Sequence, residues 1–211
     1  WEKKTASEGY AMGREEIDNP LNQMWSSAIF EIQPDGNGSA EVVWEWHLWD
    51  HLVQDYCYDC PNYAVISEHP ELFNINNGTV GTASGPSGAN ADWIHINAID
   101  YHETWDQIVF SSRFQSEVFV IDHSTTTEEA ASHTGGNSGK GGDFLYRWGN
   151  PQNYNRGSTA DQIISDQHSI NWIPENSPGT NNFILFNNYA VGSGTWGESM
   201  VIEFVLPVDV D

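Results

Sequence analysis

Apolar and polar positions alternate along much of this chain, and almost nowhere with a helical period. Three runs show it best: Ala28-Ile29-Phe30-Glu31-Ile32, Glu117-Val118-Phe119-Val120-Ile121-Asp122 and Met200-Val201-Ile202-Glu203-Phe204-Val205. A period of two sends successive side chains to opposite faces of a sheet, so each run predicts a strand. Their starts recur about every 80 to 90 residues, the mark of an internal repeat.

The neighbours of these strands repeat as well. The first is followed by the turn Asp35-Gly36-Asn37-Gly38 and the strand Val42 to His47, and the second, after an insertion, by the aromatic strand Asp143 to Gly149. Polar segments then lead into short histidine-bearing strands, Asp92-Trp93-Ile94-His95-Ile96-Asn97 and Asp166 to Pro174. Each is followed by an apolar strand, Gln107 to Ser112 and Phe183 to Asn187. The unit is therefore four strands in a fixed order: histidine strand, apolar strand, acidic-ended strand, aromatic strand. That pattern predicts an all-β fold, a β-propeller of four-stranded antiparallel blades. Residues 1–211 read as one partial propeller with blades near 1–49, 92–149 and 166–211, and with long loops at 50–91 and 150–165. One short helix is predicted after Asp122, capped by Thr125 or Thr126 with Glu128 or Glu129 as the capping-box acid, and ended by the run Gly135 to Gly142. About three blades are present where closed propellers use about four to eight. The chain begins and ends in mid-unit, so it reads as a mature form or a piece of a larger ring, or as a chain that completes its ring with others.

Composition narrows the function. The 10 Trp, 8 Tyr and 9 Phe exclude a disordered chain, because such residues exist to be packed. Thirty acids against seven Lys and Arg give a net charge of -23, which repels a phosphate backbone and excludes nucleic acid as a partner. An acid excess spread this evenly also suits salty water, where counter-ions screen it. No run approaches the roughly 18 apolar residues of a membrane helix. Cys57 and Cys60 form a C-x-x-C pair, open to three readings: a local disulfide, half of a zinc site, or a redox motif. With no second Cys pair and no βαβ pattern, the expectation is a small loop-closing disulfide rather than free thiols. That favours an oxidising compartment, secreted or periplasmic. Asn37 and Asn77 stand in glycosylation sequons.

The candidate chemistry lies on the histidine strands. By alternation His95 and Asn97 share a face, and in a propeller the innermost strand lines the central channel. Such a pair is either a site or a satisfied polar plug. The repeat places His168 at the equivalent position, without an amide two residues on. Arg113, one of only seven cationic side chains, follows the strand Gln107 to Ser112 as a salt-bridge partner or an anion fork. Two imidazoles, an amide and a guanidinium suit a tetrahedral oxyanion whose charge must be neutralised and whose leaving oxygen needs a proton. Other features carry less. The Gly135 to Gly141 run lacks the Walker spacing, and His47 and His51, flanking Trp49 and Asp50, read as ligands or, in preference, as structural groups at the end of an aromatic strand. His69, His102, His123 and His133 have no partner legible in the sequence. No metal or cofactor is indicated, and 30 acids give a glycosidase pair no specific support.

These residues resemble the bacterial arylsulfotransferase family. The resemblance runs through Asp92 to Asn97, Ser112-Arg113, Val120 to Thr126, Tyr146 to Pro151, Gln167-His168 and Trp172-Ile173-Pro174. It implies a six-bladed propeller and transfer of a sulfuryl group from an aryl sulfate to a phenol through a sulfohistidine, with no nucleotide cofactor. By the same resemblance His168 is the nucleophile, while His95, Asn97 and Arg113 bind the sulfuryl oxygens and assist the leaving phenolate. The family's further channel histidine would fall just before Trp1. Two other readings stand beside this one: a non-catalytic extracellular module that binds glycans or assembles with copies of itself, and, ranked lowest, a quinone-dependent dehydrogenase propeller.

Overall fold

A computed structural model describes residues 1–189 and 198–205. Strands dominate. In chain order they are β1 (Glu2–Thr5), β2 (Gln23–Ser26), β3 (Ala28–Pro34), β4 (Ala40–His47), β5 (Leu52–Val53), β6 (Phe73–Asn74), β7 (Thr82–Gly85) and β8 (Gly88–Asn90). There follow β9 (Ile96–His102), β10 (Gln107–Ser112), β11 (Glu117–Asp122), β12 (Tyr146–Trp148), β13 (His168–Trp172), β14 (Phe183–Asn187) and β15 (Met200–Phe204). Two short helices, α1 (Ala6–Ala11) and α2 (Thr127–Ala130), interrupt them.

One sheet reproduces the predicted unit in full. Strands β9, β10, β11 and β12 lie side by side in sequence order, all antiparallel. Strands β13, β14 and β15 begin a second sheet in the same order, and β3 pairs with β4 as a separate hairpin. The all-β expectation therefore holds, and the last six positions of the 166–211 unit lie outside the described residues.

Both faces of the four-stranded sheet are covered, which explains why β10 and β11 read as nearly continuous apolar runs. Phe110, Phe119 and Ile121 pack into one core with Trp46, Phe73, Trp93 and Phe144. Val109, Val118 and Val120 face a second core containing Ile170, Trp172, Phe183 and Leu185 from β13 and β14. Each such side chain contributes roughly 1.5–3 kcal/mol by leaving water, so the sheet is clamped from two sides.

The sequence reading needs correction in three places. The 50–91 segment is not a plain loop, since it holds β5 and β6 in a parallel pair and β7 and β8 in a hairpin. The N-terminal segment contributes β1, paired with β2, and a capping-box helix at Thr5 and Glu8. The first histidine strand starts only at Ile96, so His95 lies ahead of it. Two local expectations hold. Thr126 caps α2 in a capping box with Glu129, and Cys57 and Cys60 form a disulfide with their Cα atoms 5.4 Å apart.

Candidate active site

His95, Asn97, Arg113 and His168, the four residues singled out for oxyanion chemistry, are linked through backbone groups, Gln167 and Asp166 where the two larger sheets abut. Strand β13 runs beside β9, fastened by the Trp172 backbone N–H donating to Asp100 Oδ2 at 2.9 Å and by Asn97 Nδ2 donating to the Gln167 carbonyl at 2.6 Å. Gln167, fully buried, donates its amide to the carbonyls of Ser112 and Glu117, both at 2.9 Å. It thus pins the turn before β13 to the turn between β10 and β11. The second of these turns carries Arg113, and the first leads directly into His168 at the start of β13.

The backbone is irregular at both histidines. The β9–β10 register shifts between Ser111 and Ser112, and the β13–β14 register shifts between His168 and Asn171. Such irregularities re-aim side chains beside functional sites. His95 (φ 53), Asp166 (φ 50) and Ser169 (φ 57) adopt the left-handed conformation, at a cost of order 1–3 kcal/mol each. The left-handed turn at His95 also overturns the alternation argument, because a residue outside the strand with positive φ does not share a pleat with Asn97.

Hydrogen bonds chain the groups together. The Arg113 backbone N–H donates to the His95 carbonyl at 3.1 Å. The Arg113 side chain donates from Nε to Asp166 Oδ1 at 2.7 Å, and its two terminal nitrogens have no partner among the described residues. At 39% side-chain exposure that fork faces solvent. His168 Nδ1 lies 2.9 Å from the Asp166 carbonyl, and Asn188 Nδ2 donates to the same carbonyl at 2.5 Å. The same Nδ1 also lies 2.8 Å from Asn188 Nδ2, so the ring is held through Nδ1 by two neighbours, and Nε2 has no partner among the described residues. His95 Nδ1 is bonded to the Asp92 carboxylate, and its Nε2 likewise has no partner among the described residues.

Asn97 is largely committed to structure. It accepts from Ser111 Oγ at 2.5 Å while donating to Gln167, so one amide hydrogen remains. Phe114 escaped the sequence reading. Its ring lies 4.7 Å from that of His95 and 5.6 Å from the Arg113 guanidinium, and the residue is about half exposed. The only signal was its place next to Arg113.

Beneath the site lies a buried ion pair. Glu117, fully buried, accepts from Arg147 Nε at 3.0 Å and Nη2 at 2.6 Å, and from Asn153 at 2.9 Å. Burial pushes the Glu117 carboxyl above the usual range, and the Arg147 charge pulls it partly back.

The remaining histidines have partners the sequence did not disclose: His69 with Glu71, His102 with Asn181, His123 with Asp106 and His133 with Asp143. Among the described residues one group, His51, His133 and Asp143, has the donor atoms and spacing to hold a metal ion. It belongs to other loops.

Residues 14–195 match the family model described as Arylsulfotransferase (ASST). No curated protein and no solved structure gives a significant match.

Proposed function

We propose, since this chain belongs to the arylsulfotransferase family, that the cluster around His168 transfers a sulfuryl group from an aryl sulfate to a phenol. The observation that carries the reading is His168 Nε2, unpartnered among the described residues on a ring held through Nδ1 by the Asp166 carbonyl and Asn188, with the Arg113 fork oriented by the side chain of the same aspartate.

Nε2 of His168 attacks sulfur as the bond from sulfur to the aryl oxygen breaks, and the phenolate leaves with the bonding pair. His95, as an imidazolium whose Nδ1–H is held by Asp92, supplies the proton from Nε2 and is left neutral. The Arg113 terminal nitrogens and the remaining Asn97 amide hydrogen offset charge on the non-bridging oxygens, which an in-line displacement of this loose kind spreads over all of them. Phe114 offers an aromatic face for the aryl ring. In the second half the acceptor phenol gives its proton to His95 and its oxygen attacks sulfur, breaking the N–S bond and restoring His168. Covalent catalysis thus splits one difficult transfer into two.

The strands fit blades of a propeller, with β9 and β13 as neighbouring inner strands lining the channel. The disulfide fits an extracytoplasmic location, and no helix among the described residues is long and apolar enough to cross a membrane.

The protein is tested with a chromogenic aryl sulfate and a phenol acceptor. Release of the phenol, transfer to the acceptor, and a mass gain of one SO3 at His168 after donor alone are expected. Undiminished transfer by a folded His168→Ala variant would refute the assignment.

A second reading, a non-catalytic module for glycans or self-assembly, draws on a separate groove of about 420 Å³ lined by Phe30, Trp44, Tyr101 and His123. Stacking of sugars there, with no sulfuryl transfer, would favour it.

A further inference from the structure

A second site lies where the corner after β4 meets the loop between α2 and β12. His51 comes from the first segment, and His133 and Asp143 come from the second. Asp143 Oδ1 lies 2.8 Å from Nδ1 of His51 and 2.8 Å from Nδ1 of His133. On its other side, His51 Nε2 lies 2.8 Å from the carbonyl of Ala130.

The protons decide what this arrangement needs. The Ala130 carbonyl can only accept, so Nε2 of His51 carries the hydrogen. A neutral imidazole has just one, which leaves the Nδ1 lone pair facing a carboxylate oxygen. Nδ1 of His133 converges on that same oxygen. Lone pairs brought this close repel unless a positive particle lies among them. His133 can satisfy its own contact as the Nδ1–H tautomer, so the contact that needs a positive particle is that of His51, supplied either by one extra proton or by a metal ion shared among the three groups.

We propose that His51, His133 and Asp143 bind a divalent transition metal, zinc by its donor preference, with water as a fourth ligand. The three ligand atoms lie within 4.8 Å of one another. Zinc bonds of about 2.0–2.1 Å in tetrahedral geometry hold ligand atoms about 3.3 Å apart, so each of the two nitrogen-to-carboxylate spacings of 2.8 Å needs to open by about half an ångström. Two imidazoles and one carboxylate suit zinc rather than calcium or magnesium, which take oxygen ligands.

The surroundings are those of a built site. The His51 ring is wholly buried and stacks on Trp46 with an interplanar angle of 4°. Its outer N–H on the Ala130 carbonyl is the usual second contact of a metal-bound histidine, fixing tautomer and ring orientation. Gly142 leaves room for the ring, since a Cβ there would come within 2.6 Å of Nε2. His133, at 59% side-chain exposure, borders a cleft of about 330 Å³ through which metal and water can enter. Bound metal would cross-link residues 92 positions apart in sequence.

The test strips the purified full chain with chelator and titrates it with zinc. One equivalent per chain is expected, with cobalt(II) giving the visible absorption of a four-coordinate centre. Zinc at a hundredfold excess over Kd should raise the Tm of wild type by roughly 5–10 °C. His133→Ala removes an exposed ligand and should retain the fold by circular dichroism while losing affinity at least about 100-fold. His69→Ala, a half-exposed His–carboxylate pair elsewhere, should bind as wild type does. No stoichiometric binding by wild type would overturn the proposal and leave a protonated His51 as the occupant of the cluster. Unchanged affinity in His133→Ala would overturn it equally, by moving the zinc elsewhere.

Discussion

Replacing Arg147 by Met removes the cation from a buried pair while preserving much of the side chain's bulk. The guanidinium lies among the rings of Phe73, Phe119, Phe144 and Tyr154, so a thioether finds apolar and aromatic contacts there. Glu117 cannot adapt. It has no exposure and would keep only Asn153 as a side-chain donor, and the carbonyls of Pro70 and Leu72 would lose their Arg147 bonds. Leaving one partner of a buried pair uncompensated costs about 3–5 kcal/mol. In a chain of this length each kcal/mol moves Tm by about 2–4 °C, so a fall of roughly 6–20 °C is expected. The sign of the pH dependence follows from the raised Glu117 carboxyl. Without Arg147 its folded pKa rises further, while the unfolded value stays near 4.3. Below the unfolded value the glutamate is protonated in both states and the charge penalty vanishes; as pH rises towards the folded value, stability falls. Urea unfolding followed by tryptophan fluorescence at pH 4.5 and pH 8 should show the larger deficit at pH 8, and Glu117→Gln in the same background should recover part of it. A deficit below about 1 kcal/mol, or one equal at both pH values, would refute the account. Because the Glu117 carbonyl also holds Gln167, lost activity should accompany lost stability.

Asp166→Asn, which tolerates the left-handed backbone there, should leave the fold intact, yet loosen the Arg113 fork by removing the charge and lower the rate of sulfuryl transfer about 10-fold; steady-state rates alongside circular dichroism check this. At Asp122, burial pushes the carboxyl up, but hydrogen bonds from Ser124 and Ser138 outweigh it and hold the group below its ordinary value. Its contribution is therefore present above about pH 4 and lost as pH falls through the lowered folded value. Asp122→Asn should flatten the acid end of the stability profile, measured by urea midpoints between pH 2 and 5. Gly149→Ala places a Cβ 2.5 Å from the Ser116 carbonyl at a φ of 127° and should cost more than about 1 kcal/mol in urea unfolding.

What could be read from the sequence follows the range of the interactions involved. Strands β10, β11 and β14 fall on the residues the pattern indicates, because β10 and β11 bury side chains on both faces and β14 buries alternate positions, Phe183, Leu185 and Asn187. The α2 cap was legible for a similar reason, as Thr126 and Glu129 act on each other within one turn. Strands β5 and β6 were not, since two residues hold no period and their pairing is set by partners 21 positions away. The candidate active site stands between these cases. His95, Arg113 and His168 were visible because they flank strongly patterned strands in a repeat, but alternation gave the wrong geometry for His95, whose left-handed backbone is imposed by the irregular edge of β9. The fork at Arg113 depends on Asp166, 53 residues on, which no local rule connects to it. For His51, His133 and Asp143 nothing local exists at all. Their convergence comes from the closing of the 131–143 loop over Trp46, whose indole donates to the Gly142 carbonyl at 2.8 Å. Composition does bear on how each cluster would work. In a chain of net charge -23, a cation entering the His51 cluster is drawn in by the surrounding field, while an aryl sulfate approaching Arg113 is repelled until it is within reach of the fork. The long-range field therefore favours the metal site, and selectivity for an anion at the other rests on contacts made within a few ångströms of Arg113.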